Sequence, residues 1–95
     1  MQGGPSGNPT LATIAYNEIA NNGPVNGAQG GNGIEATYSS IVTATGNNIH
    51  NNGRFGILGR DDSHLAIMAN TINANVLNGV MICGTNINDP STATI

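Results

Sequence analysis

The stretch Asn47-Asn48-Ile49-His50-Asn51-Asn52-Gly53-Arg54-Phe55-Gly56-Ile57 decides the fold, because its pattern occurs three times in the chain. Its first half, Asn-x-Ile-x-x-Asn, recurs at residues 17–22 and 70–75, and its closing Gly with Ile or Val recurs at 33–34 and 79–80. The last two copies are offset by 23 residues throughout, whereas the first copy is longer by 7. A fixed period in the low twenties indicates a solenoid, in which each repeat stacks on the next.

The kind of solenoid follows from the apolar spacing inside each copy. In the last complete copy the apolar pairs are Leu65 with Ile67, Ile72 with Ala74, and Val80 with Ile82. This period of two predicts strands. A leucine-rich repeat would need a Leu-x-x-Leu-x-Leu consensus, which the chain lacks, and Asn, Gly and Thr are poor in helical solenoids. The sequence therefore predicts an all-β fold, a right-handed parallel β-helix of about three to four coils with three strands in each.

Stacking of equivalent positions gives each column of side chains a role. β-Branched residues suit inward columns because they stand off a pleated strand in one preferred rotamer. Asn suits a turn, where it tolerates left-handed dihedrals and passes side-chain hydrogen bonds from coil to coil. Gly suits a tight corner that needs either positive φ or no Cβ. The predicted inward columns are Ile19, Ile49, Ile72; Ile34, Ile57, Val80; and Ile14, Ala44, Ile67; the ladder is Asn17, Asn47, Asn70; and the corner glycines are Gly33, Gly56, Gly79.

The repeat also divides the chain. Residues 1–9 are predicted to be a flexible leader without the basic and apolar regions of a signal peptide. Residues 10–95 form a single β-helix domain with a turn-forming loop insertion at 23–32, where all the excess of the first copy lies. Residues 24–31 are expected to project from the coil and to tolerate deletion. The closing residues 91–95 mirror residues 10–14 and begin a new coil.

Composition excludes two classes of partner. Charged residues are 7% of the chain, and two Arg with a net charge of -3 provide no phosphate-binding surface, so we expect no nucleic-acid partner. No apolar run approaches the ~20 residues that span a bilayer, so we expect no membrane partner. Cys83 is the single cysteine and cannot form an intramolecular disulfide. We expect no cofactor and no metal site.

The pattern Asn-x-Ile-x-x-Asn-Gly followed by Gly-Ile resembles the parallel β-helix repeat of the pectate-lyase-like superfamily. It is similar in particular to the Asn-rich repeats of mannuronan C5-epimerases and polysaccharide lyases, and the resemblance covers residues 10–88. It implies the fold, while the activity stays open because the same repeat occurs in enzymes, phage tailspikes, adhesins and structural proteins. For an enzyme it implies acidic residues, with or without calcium, that neutralise a uronate carboxylate while another residue removes the C5 proton.

One cluster could carry that chemistry. Arg60 could hold a carboxylate, Asp61 and Asp62 could supply oxygens, and His64 or Tyr38 could move a proton. The offset of 23 residues places Tyr38 one coil from Asp61. The Asp-Pro-His motif of the C5-epimerases is missing, since Asp-Pro at 89–90 is followed by Ser. The alternative is a solvated turn in which Asp and Ser cap a corner.

Two functions follow as expectations. The first is a non-catalytic structural module, extracellular or at the cell surface, whose copies associate end to end because the solenoid has strand edges at both ends. The second is a fragment of a polysaccharide-acting enzyme, with polysaccharide as its partner and calcium as its cofactor. An ice-binding face would need Thr-x-Thr repeated in register, but Thr43-Ala44-Thr45 aligns with Thr13-Ile14-Ala15 and Ala66-Ile67-Met68, which lack it.

Overall fold

The computed structural model describes residues 10–23, 31–84 and 91–95. These residues form ten strands and no helix. The strands are β1 (Leu11–Ala15), β2 (Glu18–Ala20), β3 (Ile34–Ala36), β4 (Ile41–Thr45), β5 (Asn48–His50), β6 (Ile57–Gly59), β7 (His64–Met68), β8 (Thr71–Asn73), β9 (Val80–Ile82) and β10 (Thr92–Thr94).

The strands form three parallel sheets, which together surround one core. Sheet 1 has the order β1-β4-β7-β10, sheet 2 the order β2-β5-β8, and sheet 3 the order β3-β6-β9. From β4 onward, each strand therefore pairs with the strand three places earlier in the chain, which lies one coil before it. The described residues complete three coils and the first strand of a fourth, so the predicted parallel β-helix with three strands per coil is confirmed.

The coils differ in length although their strands stay in register. Leu11 pairs with Ile41, Ile41 with His64, and His64 with Thr92, so successive coils are 30, 23 and 28 residues long. The alignment of residues 10–14 with residues 91–95 is confirmed by this pairing.

The first coil carries its extra residues at one corner. The Gly53 N–H donates to the Asn22 carbonyl at 2.6 Å, and the Arg54 N–H donates to the Gly31 carbonyl at 3.1 Å. Consecutive residues of the second coil thus lie against Gly23 and Gly31 of the first, which places the seven inserted residues at 24–30. These residues, like the predicted leader at 1–9, lie outside the described part of the chain. The expectation that Gly31 also projects and can be deleted is wrong, because its carbonyl accepts from Arg54 of the next coil.

The three predicted columns lie in the core. Ile49 and Ile57 are fully buried in the second coil, and their neighbours in the outer coils, such as Ile19 and Ile72, are half-buried and pack against the same cluster. One prediction about the alternation is wrong. Ala74 follows β8 with φ 53° and is exposed, so it is not an inward partner of Ile72.

The predicted Asn ladder forms at the corner between sheets 1 and 2. Asn17 Nδ2 lies 3.3 Å from Asn47 Oδ1, and Asn47 Nδ2 donates to Asn70 Oδ1 at 2.9 Å. The left-handed conformation was predicted at these asparagines, but the structure has it at the residue before each of them. Tyr16 has φ 58°, Gly46 has φ 68° and Ala69 has φ 57°. The turn of the preceding residue aims each Asn side chain along the solenoid axis.

A second ladder, which the sequence analysis missed, forms at the corner between sheets 2 and 3. Asn22 Nδ2 donates to Asn52 Oδ1 at 2.9 Å, and Asn52 Nδ2 donates to Asn75 Oδ1 at 2.9 Å. Again the residue before each ladder member is left-handed, with φ 61° at Asn21 and φ 56° at Asn51.

The corner glycines satisfy one of the two predicted requirements. None of the three has positive φ, but a Cβ at Gly56 would lie 2.5 Å from the Gly79 carbonyl oxygen and 2.7 Å from Ile72 Cγ2. A Cβ at Gly33 would likewise lie 2.5 Å from the Gly56 carbonyl oxygen. At Gly33 and Gly56, glycine is therefore required by close packing between coils, whereas a Cβ at Gly79 would meet only Ile72 Cγ2 at 3.3 Å.

Candidate functional site

The predicted site lies at the third corner, between sheets 3 and 1. Two consecutive residues are left-handed there in each of two successive coils: Tyr38 and Ser39 in one, Asp61 and Asp62 in the next, with φ between 52° and 64°. The buried Ser63 that follows donates its hydroxyl to the Arg60 carbonyl at 2.7 Å. Such a double left-handed turn costs conformational energy, and Asp tolerates it better than most residues. It places the Asp side chains at the outer corner of the solenoid.

The predicted residues of this corner do come together across coils. The Ser39 N–H donates to the Asp61 carbonyl at 2.9 Å, which confirms that Tyr38 and Asp61 occupy equivalent positions in adjacent coils. His64 Nε2 lies 3.2 Å from Asp62 Oδ1, and His64 Nδ1 lies 2.7 Å from the hydroxyl of Thr92. The side chains at this corner thus connect three successive coils.

Arg60 has an acidic partner that the sequence analysis missed. Its Nη2 and Nε atoms lie 2.9 and 3.3 Å from Glu35 Oε1, and its Nη1 lies 3.2 Å from Asp61 Oδ2. Glu35 also accepts a hydrogen bond from Asn32 Nδ2 at 2.9 Å. The guanidinium predicted to hold a substrate carboxylate is therefore held by two carboxylates of the protein.

The electrostatics of this pair follow from its geometry. Burial raises the pKa of the Glu35 carboxyl, but hydrogen bonds from Arg60 and Asn32 and the charge of Arg60 outweigh it and leave the pKa below its ordinary value. The hydrogen bond to Glu35 raises the pKa of Arg60, against the opposing effect of burial. Both groups are ionised at neutral pH and form an ion pair between coils.

The charged side chains of this corner are paired with one another. Asp61 faces Arg60, Asp62 faces His64, and the side chain of Asp61 is 12% exposed. Within residues 10–23, 31–84 and 91–95, no group of three or more His, Cys, Asp or Glu side chains is placed to hold a metal ion. The arrangement links coils through ion pairs and hydrogen bonds.

The two ends of the solenoid form a second candidate site. Among the described residues, no strand pairs with the outer edges of β1, β2 and β3 at one end or of β8, β9 and β10 at the other. Apolar side chains are exposed at both ends, with Leu11 at 71% and Ile95 at 82%. Sheet 1 has four strands and the other sheets three, so β10 stands one strand beyond β8 and β9.

The fold and these corners define a class, the parallel β-helices with asparagine ladders. The sequence matches the family model described as a right-handed beta helix region over residues 4–94. The chain belongs to this right-handed β-helix family. No curated protein and no solved structure matches it. A search of the described residues finds no helix that is long and apolar enough to span a membrane.

Proposed function

We propose that this domain is a non-catalytic structural module whose copies associate end to end through the free strands of sheet 1. The observation that supports this most directly is the equivalence of β1 and β10. Residues 10–14 and 91–95 occupy the same register in sheet 1, at its two opposite edges. A parallel sheet can continue across such a pair of edges at the usual spacing of about 4.8 Å.

The backbone groups needed for this pairing point outward. The Thr92 N–H donates to the carbonyl of Ser63, the residue before β7, at 2.9 Å. Because successive residues of a strand direct their backbone groups to opposite sides, the N–H and carbonyl of Ala93 point to the free edge. In the same way, those of Leu11 and Thr13 point to the free edge of β1. The two edges therefore supply complementary donors and acceptors.

The inward column of sheet 1 would also continue across the junction. Ala12 of the next copy would lie over Ala93, and Ile14 of the next copy would cover Ile95. Ile95 lies at the inward register position of Ile14 and is 82% exposed, so this contact would remove apolar surface from water. Because β10 stands one strand beyond β8 and β9, the junction joins sheet 1 directly and leaves a gap of one strand in sheets 2 and 3.

The extracellular location and a polysaccharide partner also belong to this proposal. They are supported by the resemblance of the repeat to those of polysaccharide-acting enzymes. Secretion can be tested by expressing the native gene product in its own cells and fractionating them.

Association is tested by replacing Ala93 with Pro, which removes the free-edge N–H without removing the described bond from Thr92 to β7. We expect light scattering and electron microscopy over a concentration series to show assemblies for the parent chain and short or monomeric species for Ala93→Pro. Ala93→Val is the matched control, since it keeps the N–H. A parent chain that stays monomeric at all concentrations, or an Ala93→Pro variant that assembles like Ala93→Val, would contradict the proposal.

One observation favours an enzyme fragment as the alternative. Tyr38 is half-exposed and lies one coil from Asp61, as a site for a uronate chain would require. The engagement of Arg60 by Glu35 and Asp61 argues against it, because no described cation is then free at this corner to neutralise a substrate carboxylate. Absorbance of the unsaturated product on alginate or pectate, with and without calcium, tests for lyase turnover. Turnover that is lost in Asp61→Ala would reverse this ranking.

A further inference from the structure

The outer face of sheet 1 differs from every other surface of the described solenoid. We call it the sheet 1 face. Side chains alternate along each strand, so every second residue of β1, β4, β7 and β10 points outward. Its members are Leu11, Thr13, Ala15, Ile41, Thr43, Thr45, His64, Ala66, Met68, Thr92 and Thr94.

This face carries no Asp, Glu, Lys or Arg. The charged side chains that the structure describes lie elsewhere, with Glu18 on sheet 2, Glu35 on sheet 3 and Asp61 and Asp62 at the corner beside it. Three of the large apolar side chains that are exposed in the described chain, Leu11, Ile41 and Met68, lie on this face. Its remaining members are His64 and small Thr and Ala side chains.

We propose that the sheet 1 face is an interface with the same face of a second copy of this chain. A surface that packs against itself brings like charges together, so an uncharged face fits a self-contact and a charged one does not. The formal net charge of -3 makes copies of the chain repel one another, and the side chains of this face add no carboxylate to that repulsion, although its member His64 lies 3.2 Å from Asp62 at the rim. Small Thr and Ala side chains on two sheets packed face to face can interdigitate.

The size of the face predicts when the contact becomes stable. Four strands about 4.8 Å apart and five residues that each rise about 3.3 Å give a face of roughly 300 Å². A pair of faces would bury about 600 Å², against the roughly 1,200 Å² at which specific interfaces begin. Two single copies should therefore pair weakly, whereas stacks of two or more copies should pair stably. This inference rests on the proposed end-to-end association for its stability, but not for its geometry.

The test introduces a lysine either on the sheet 1 face or on the outer side of sheet 2. Thr43 lies in the middle of the sheet 1 face, and Asn48 is exposed on the outer side of sheet 2 in the same coil. Thr43→Lys and Asn48→Lys change the net charge equally and reduce the overall repulsion. We expect electron microscopy to show double-width assemblies for the parent chain and Asn48→Lys, and single-width assemblies of similar length for Thr43→Lys. Circular dichroism checks that both variants are folded.

A second readout does not depend on end-to-end growth. In a Cys83→Ala background, Thr43→Cys should form disulfide-linked dimers on oxidation at least tenfold faster than Asn48→Cys, because face-to-face packing brings the two central positions together. Rapid cross-linking of Thr43→Cys in a chain that forms no stacks would support this interface and refute the proposed function. This interface would be refuted if the two Lys variants formed stacks of equal width and the two Cys variants cross-linked at equal rates. Normal stacks in that case would leave the proposed function standing. Adsorption of the face to a flat polymer in place of a second copy would also give equal cross-linking rates, and would overturn the proposal.

Discussion

Removal of the Asn47 side chain tests whether the ladder holds the solenoid together. Asn47 is 1% exposed. Its Oδ1 accepts from the Asn17 N–H at 2.9 Å, and its Nδ2 donates to the Ile14 carbonyl at 2.8 Å and to Asn70 Oδ1 at 2.9 Å. One side chain thus joins three coils, and Asn47→Ala removes these contacts at once.

The cost follows from the groups that are left behind. Asn17 is exposed, so water can replace its lost acceptor, and Asn70 Oδ1 keeps the Asn47 backbone N–H at 2.8 Å. The half-buried Ile14 carbonyl loses its side-chain donor, at about 1–3 kcal/mol, and each hydrogen bond lost contributes about 1 kcal/mol more. We expect Asn47→Ala to lower the free energy of unfolding by about 2–4 kcal/mol. A chain of 95 residues has roughly 5–14 kcal/mol in total, so the variant folds but is visibly weakened.

Urea unfolding followed by circular dichroism measures this difference. Asn48→Ala is the matched control, because Asn48 is the next residue, is exposed, and its side chain has no described hydrogen bond. The control should lie within about 0.5 kcal/mol of the parent chain. Equal unfolding midpoints for Asn47→Ala and Asn48→Ala would refute the argument that the ladder stabilises the fold.

Three further changes test the packing and the ion pair. Gly56→Ala should cost at least about 2 kcal/mol in urea unfolding because its Cβ meets a backbone carbonyl, while Gly23→Ala, with no atom within 4 Å of its Cβ, should be nearly neutral. Ile49→Asp should prevent folding by burying an unpaired charge, and a midpoint equal to that of the parent would show the column assignment to be wrong. The lowered pKa of Glu35 stabilises the fold above the unfolded-state value of 4.5, and this stabilisation should be lost as the pH falls below that value. Glu35→Gln should remove that part of the acid dependence of the thermal midpoint, and an unchanged acid profile would show that the pair with Arg60 does not contribute.

The sequence was sufficient to predict the sheets because the fold repeats a local rule. A period of two in each strand and a fixed offset between copies determine which residues stack, as the pairing of Ile49 with Ile19 and Ile72 confirms. The ladder of Asn47 followed from the same offset. A solenoid is predictable to this extent because each contact joins residues at equivalent positions in neighbouring repeats.

Contacts that depart from this offset were not predicted. Glu35 lies opposite Leu58, yet its partner is Arg60, two residues further along the next coil, because a long side chain reaches diagonally. The second ladder follows the offset and was missed for another reason: the pattern alone does not tell an inward corner Asn from an outward one. The same ambiguity made Ala74 look like an inward residue, whereas the next position, Asn75, carries the ladder.

The last prediction concerns the insertion of the first coil. The pairing of Gly23 with Gly53 and of Gly31 with Arg54 shows that three residues suffice to join Asn22 to Gly33, as they do between Asn52 and Gly56. Deletion of residues 24–30 should therefore leave every described strand in register. Shortening this connection from ten residues to three also reduces the entropy of loop closure, which would stabilise the fold by up to about 1 kcal/mol.

A deletion one residue longer gives the matched control. Removal of residues 24–31 leaves one residue too few at the corner, removes the Gly31 carbonyl that accepts from Arg54, and should destabilise the first coil by more than about 1 kcal/mol. Thermal unfolding of the two deletion variants beside the parent chain measures the difference. Because the corner is defined to a single residue, the seven-residue deletion should unfold at or above the parent's midpoint and the eight-residue deletion below it. Equal midpoints for the two deletions would show that the corner is not held in register by the bonds to Gly53 and Arg54.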